Sequence, residues 1–120
     1  MSEIATTRIE RDDQVIVAVL SGEIDPSNAR ALSRDLTDAV PNDALALLVD
    51  LTDVGYLDSA GVQLLFELAD RLAARQQLLA IAVPKSAPAR RVLDIVAIDA
   101  TAPVADSRAE ALARLDLGSG

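Results

Sequence analysis

Cysteine, histidine and tryptophan are absent from the chain, and its only aromatic rings are Tyr56 and Phe66. Without thiolate or imidazole it lacks the usual zinc ligands, thiol nucleophile and near-neutral base, so zinc sites, thiol enzymes and serine hydrolases are disfavoured. Two rings also supply little base stacking, and 11 basic residues against 19 acidic ones give a formal charge of −8. That sign is wrong for neutralising phosphates, so no nucleic-acid partner is expected. Long hydrophobic runs are missing too: the longest, Ala44–Val49 and Leu78–Val83 among them, are six residues each, where a bilayer span needs ~20. The opening MSEIATTRIERDD carries charges where a signal peptide needs an apolar stretch. These readings predict a cytoplasmic chain without membrane insertion, and the lack of cysteine suits that compartment.

What is present is aliphatic. Hydrophobic residues make up 51% of the 120 positions, enough for one core of Ala, Val, Ile and Leu, so residues 1–120 read as a single domain. Residues 1–6 and 116–120 are expected to be flexible. In Gln14–Leu20 both alternating sets are apolar, which predicts a strand covered on both faces. Thr7–Glu10 reads as an edge strand joined to it through Arg11-Asp12-Asp13. Asp25 is placed to cap a first helix with Pro26 in its first turn, burying Ala29, Leu32, Leu36, Ala39 and Val40. Ala44–Leu51 reads as a second buried strand, followed by a turn at Thr52-Asp53-Val54-Gly55. A helix from Ala60 to about Arg75 would bury Val62, Leu65, Ala69 and Leu72. Leu78–Val83 is a third strand, and Ser86 the expected cap of a helix carrying Ala89, Val92, Leu93 and Val96. Ile98–Val104 reads as a short edge strand interrupted by Pro103. Ser107-Arg108-Ala109-Glu110 has the spacing of a capping box opening a last helix. Strands alternating with helices predict an α/β fold.

Polar chemistry concentrates at one strand-to-helix corner, where Asp50, Asp53, Asp58 and Ser59 fall close together. Three aspartates near strand ends could bind magnesium, and Asp50 invites comparison with the phosphoacceptor of receiver domains. The receiver pattern wants an acidic pair after the first strand and a lysine after the last central one. Here Ser21-Gly22-Glu23 follows the first strand, and the only lysine, Lys85, follows an earlier strand. Ser59 reads as a helix cap, with Gly61 allowing close packing. A phosphate on that hydroxyl would meet the positive end of the helix dipole while adding about −1.5 to −2 charges beside Asp58.

Leu48–Val62, read as LVDLTDVGYLDSAGV, closely resembles the signature of STAS domains, the family of bacterial anti-sigma factor antagonists. Leu20-Ser21-Gly22-Glu23-Ile24-Asp25 is similar to the family's Leu-Ser-Gly-Glu-Leu-Asp, and Ser86–Asp94 resembles its third helix. The resemblance implies a four- to five-stranded mixed sheet flanked by about four helices. It also implies a non-enzymatic switch. Its unphosphorylated form would bind an anti-sigma factor of the GHKL serine-kinase type and free the sigma factor. Phosphorylation by that kinase would weaken the complex, and a metal-dependent serine phosphatase would reset it. By position the phosphorylated residue is Ser59, and Asp25, Asp58, Ser59, Ala60 and Gly61 form the partner-binding set. No catalytic, metal-binding or cofactor-binding residue is implied. The alternative is an accessory subunit of a lipid-transport ATPase or a stress-sensing complex, without phosphorylation.

The chain departs from the family pattern at Ala60, where a second serine is usual, at Ala87-Pro88, where the proline is shifted by one residue, and at Val96-Ala97. Ser-Gly often follows the third helix in the family, so that helix is expected to end differently here.

Overall fold

In the computed structural model, residues 6–115 are described; the expectations for 1–5 and 116–120 lie outside them. Thr6, expected to be flexible, stands in the first strand opposite Ser21. The elements in order are β1 (Thr6–Asp12), β2 (Val15–Ile24), α1 (Ala29–Ala39), β3 (Ala46–Leu57), α2 (Ser59–Ala74), β4 (Leu78–Ala82), α3 (Pro88–Val96), a 3₁₀ turn (Ile98–Ala100), β5 (Val104–Ala105) and α4 (Arg108–Arg114). One five-stranded sheet in the order β1-β2-β3-β4-β5 carries them. β1 runs antiparallel to β2, and the remaining pairs are parallel. The fold is thus the mixed α/β sheet with four helices that the sequence predicts.

The doubly apolar β2 explains the layering. Ile16, Ala18 and Leu20 point into a large core with residues of α1, α2 and α3. Val15 and Val17 point into a smaller one closed by Ala111 and Leu115 at the α4 end. A one-residue slip would exchange the two sets, and the two cores differ in volume, so burial on both faces fixes the register. The small-core face of the sheet is lined by Ala46, Ala80, Ala82 and Ala105, which lets a seven-residue helix cover it. None of the helices among the described residues is long and apolar enough to cross a membrane.

Several local expectations are corrected. β1 continues through Arg11 and Asp12, because the hairpin turns on Asp13-Gln14, with Asp13 in the left-handed region at φ 56°. Asp12 faces Val15 across this two-residue loop. Thr52–Gly55 is not a turn: β3 runs unbroken to Leu57, and register shifts against β2 make its buried positions Leu51, Val54 and Leu57 recur every third residue. Such irregularities re-aim side chains without ending pairing. α3 begins at Pro88 after Ala87, with no side-chain cap, so Ser86 lies in the preceding turn. The proline supplies the preset φ of a first helical position, which makes a cap less necessary. Val96 is exposed. Ile98–Ala100 forms a 3₁₀ turn, residues 101–103 are irregular, and the strand begins only at Val104. At α4 the expectation holds, with Ser107 Oγ accepting the Glu110 N–H at 3.2 Å.

α3 ends at Val96, with Ala97 as its C-cap. Ala97 adopts φ 53°, ψ 43° and donates its N–H to Asp94 and Leu93 carbonyls. That is the left-handed ending glycine usually provides.

Candidate functional site

The C-terminal ends of β2 and β3 lie side by side, Ile24 opposite Leu57. The next residues, Asp25 and Asp58, therefore open two neighbouring corners, joined where the Asp58 N–H reaches the Ile24 carbonyl at 3.4 Å. Ligand and partner surfaces on parallel sheets gather at such strand ends.

The two aspartates do different work. Asp25 does not cap α1. Its carboxylate accepts the Ser27 N–H at 2.9 Å and the Ser27 hydroxyl, while Asn28 Oδ1 accepts the Asp25 N–H at 3.1 Å and Asn28 Nδ2 donates to the Glu23 carbonyl at 2.8 Å. The segment Asp25–Asn28 closes on itself, so the helix starts only at Ala29. Asp58, by contrast, is the N-cap of α2, its Oδ1 accepting from Ala60 N–H at 2.9 Å and Gly61 N–H at 3.4 Å. Ser59 was expected to fill this role. The extended backbone of Asp58, φ −109° and ψ −165°, makes it the residue just outside the helix and puts Ser59 one residue further on, inside it.

Ser59 is consequently the first residue of α2 and is exposed. Its hydroxyl stands free of capping duty beside the unsatisfied amide end of the helix. Gly61 is buried beneath it: a Cβ there would lie 2.6 Å from Leu57 Cδ1, 2.8 Å from Leu57 Cγ and 3.1 Å from Ile24 Cγ2. Only a glycine lets α2 approach the two strand ends this closely.

Beside the corner, an open cleft of about 200 Å³ runs between α1 and α2, lined by Pro26, Ala29, Arg30, Ala60, Gln63 and Glu67 among others. The sequence offered no signal for it, because its lining comes from both α1 and α2 and is assembled only when the two helices pack. Arg71 Nη1 donates to buried Ser33 Oγ at 3.0 Å, fixing that packing further along.

The aspartate cluster does not converge. Asp50 Oδ1 accepts the Thr52 N–H at 3.0 Å and the Thr52 hydroxyl at 2.7 Å, and its other oxygen lies 3.8 Å from Arg108. Among the described residues no three metal-capable side chains come together.

At the neighbouring corner Arg90 fastens α3 to its surroundings, with Nη1 donating to the Val83 carbonyl and to Asp106 at 2.8 Å each, and Nε to Asp94 at 3.1 Å. Burial pulls this guanidinium down, but the bonds to Asp106 and Asp94 outweigh it and raise its pKa.

A family profile described as "Mlab, STAS domain" matches residues 7–103. Among solved structures, an anti-sigma factor antagonist from Mycobacterium paratuberculosis is 30% identical, with a TM-score of 0.81 over 92% of this chain and 93% of that one. The Bacillus cell fate determinant SpoIIAA in its phosphorylated form is 18% identical, with a TM-score of 0.64 over 92% and 99% of the two chains. A sulfate transporter family protein from Wolinella succinogenes is 19% identical, with a TM-score of 0.67 over 88% of each. No curated protein sequence matches significantly.

Proposed function

The chain belongs to the STAS-domain family, and from that premise we propose that it is an anti-sigma factor antagonist switched by phosphorylation of Ser59. In this reading the unphosphorylated form binds an anti-sigma factor of the GHKL serine-kinase type and frees the sigma factor. The kinase phosphorylates Ser59, and a metal-dependent serine phosphatase removes the phosphate. The chain acts as a substrate and binding partner, with no catalysis of its own, and nucleotide and metal are brought by the enzymes.

One observation carries the reading: Ser59 is exposed at the first position of α2 while Asp58 holds the cap. A kinase can take the hydroxyl without first breaking a structural bond, and the helix keeps its start after modification. The phosphate is tolerated by the fold because it meets the positive end of α2. It is not tolerated by a partner matched to the unmodified corner, where it adds negative charge beside Asp58 and near Asp25. Asp25, Asp58 and Ala60 flank Ser59 in the proposed contact surface, with the α1–α2 cleft adjoining it, while Gly61, expected in the partner-binding set, is buried and instead sets how closely α2 approaches the strand ends. The 30% identical antagonist supports the class of partner.

The test is incubation with ATP and the kinase, with mass spectrometry locating the phosphate, followed by titration of the anti-sigma factor. Ser59→Ala is expected to bind like the unmodified chain and to resist release by ATP, and Ser59→Asp to bind weakly. Equal affinity of the wild type and both variants, before and after ATP, would remove Ser59 from the mechanism.

A second reading is an unphosphorylated accessory subunit of a lipid-transport ATPase or a stress-sensing complex. It is favoured by the Mlab description of the matching profile and by the shared fold of a transporter-family protein. Here Ser59 stays unmodified, and the same corner serves only for docking.

A further inference from the structure

β1 forms one edge of the sheet, with β2 on one side and no strand on the other among the described residues. All of Thr6–Asp12 is exposed except half-buried Glu10, and Ile9 is 45% exposed. Such an edge offers unpaired N–H and C=O groups to another strand. Its side chains decide which strand can take them.

We infer that the outer edge of β1 pairs antiparallel with β1 of a second copy, in a two-fold dimer centred on Ile9. A two-fold relation between edge strands in one continuous sheet sets the axis perpendicular to the sheet. Directly opposed residues must also point to the same face. Together these conditions require one residue of β1 to stand opposite its own copy, so the possible centres can be counted. Centring on Arg8, Glu10 or Arg11 sets a like charge against itself, which destabilises. Centring on Thr6, Thr7 or Asp12 sets at most three residues of β1 against β1 of the second copy. Centring on Ile9 uses all of β1: Arg8 faces Glu10 of the second copy, Glu10 faces its Arg8, Ile9 faces Ile9, and Thr6 and Thr7 face Asp12 and Arg11.

The faces agree with this arrangement. Arg8 and Glu10 oppose Val19 and Val17 of β2, residues of the α4 side, and Glu10 already accepts from Arg8 at 2.8 Å and from Arg108 at 3.0 Å. Ile9 opposes Ala18 on the large-core side, so two half-covered isoleucines would bury each other beside the helices. The charges that deter unmatched strands thereby select one register of the chain with itself. The axis reverses strand direction, so the two Ser59 corners would lie at opposite ends of the dimer and each could hold its own partner. The inference does not depend on Ser59 being phosphorylated.

Sedimentation velocity from about 1 µM to about 1 mM, alongside hydrogen exchange of the β1 amides, tests this. The wild type is expected to shift from monomer to dimer with concentration, with amides between Thr7 and Arg11 gaining protection in step. Arg8→Glu should weaken dimerisation about tenfold or more, since it turns both cross-copy pairs repulsive, while Arg8→Lys should preserve it. Arg8 is largely exposed, its side chain 69% accessible, so either variant should fold, as circular dichroism would verify. A chain that stays monomeric throughout would overturn the proposal. So would a dimer indifferent to Arg8→Glu, or one whose β1 amides exchange at a rate independent of concentration.

Discussion

The Asp58 carboxylate accepts the Ala60 backbone N–H at 2.9 Å across Ser59, which lies between them and takes no part in the bond. This arrangement separates two tasks that a single side chain often combines, starting the helix and presenting a hydroxyl. Asp58→Ala should therefore cost about 1 kcal/mol of stability, the usual worth of an N-cap. Ser59→Ala should stay within about 0.5 kcal/mol of the wild type, as surface substitutions do. Urea denaturation of the two variants measures both; equal losses would return the capping role to Ser59.

Gly61 is constrained by what lies under it. The added methyl of Gly61→Ala would press on Leu57 at 2.6 and 2.8 Å and on Ile24 at 3.1 Å. Leu57 can turn only partly aside, because it is itself buried. The variant should lose about 1–3 kcal/mol, the range for overpacking a closed site, even though alanine favours helix. Thermal and chemical denaturation would register the loss. A more stable variant would mean that propensity outweighs the clash.

These two residues also show how much the sequence discloses. Layering was legible because β2 is apolar on both alternating sets, and Gly61 was legible as a point of close packing. The choice between Asp58 and Ser59 was not, since both side chains can cap and are adjacent. The backbone path out of β3 decides between them. Likewise Thr52-Asp53-Val54-Gly55 has the composition of a turn, yet pairing with β2 through two register shifts holds it in the sheet. Asp25-Pro26 suggested a helix start, and Asn28, by bonding back to Asp25 and Glu23, delays it to Ala29. The α1–α2 cleft is a product of packing between distant residues, which no local pattern encodes.

Ala97 carries strain that the usual glycine would not. A left-handed conformation costs an L-residue roughly 1–2 kcal/mol, against about 0.4–1 kcal/mol for the greater freedom glycine gives the unfolded chain. Ala97→Gly should therefore stabilise by about 0.5–1 kcal/mol, with α3 ending at the same place. A rise in melting temperature tests this, and Ala97→Val, whose branched side chain fits the left-handed region worse, should lower it.

Glu10 links pH to the attachment of α4. Hydrogen bonds from Arg8, then from Arg108, hold its carboxyl below its ordinary value of 4.5. The folded state thus favours the ionised form, and the resulting stability is fully present above about 4.5 and is lost as pH falls through the lowered folded value. Arg108 reaches Glu10 from the N-terminal end of α4 and β1 is the edge strand, so protonation loosens a tie between helix and edge. Glu10→Gln should lower the melting temperature at about pH 7 and converge with the wild type once the pH has fallen below the lowered folded value. Because these groups meet water, added salt should shrink the difference at neutral pH. A difference that persists unchanged at low pH would assign the effect to packing of the side chain instead of its charge.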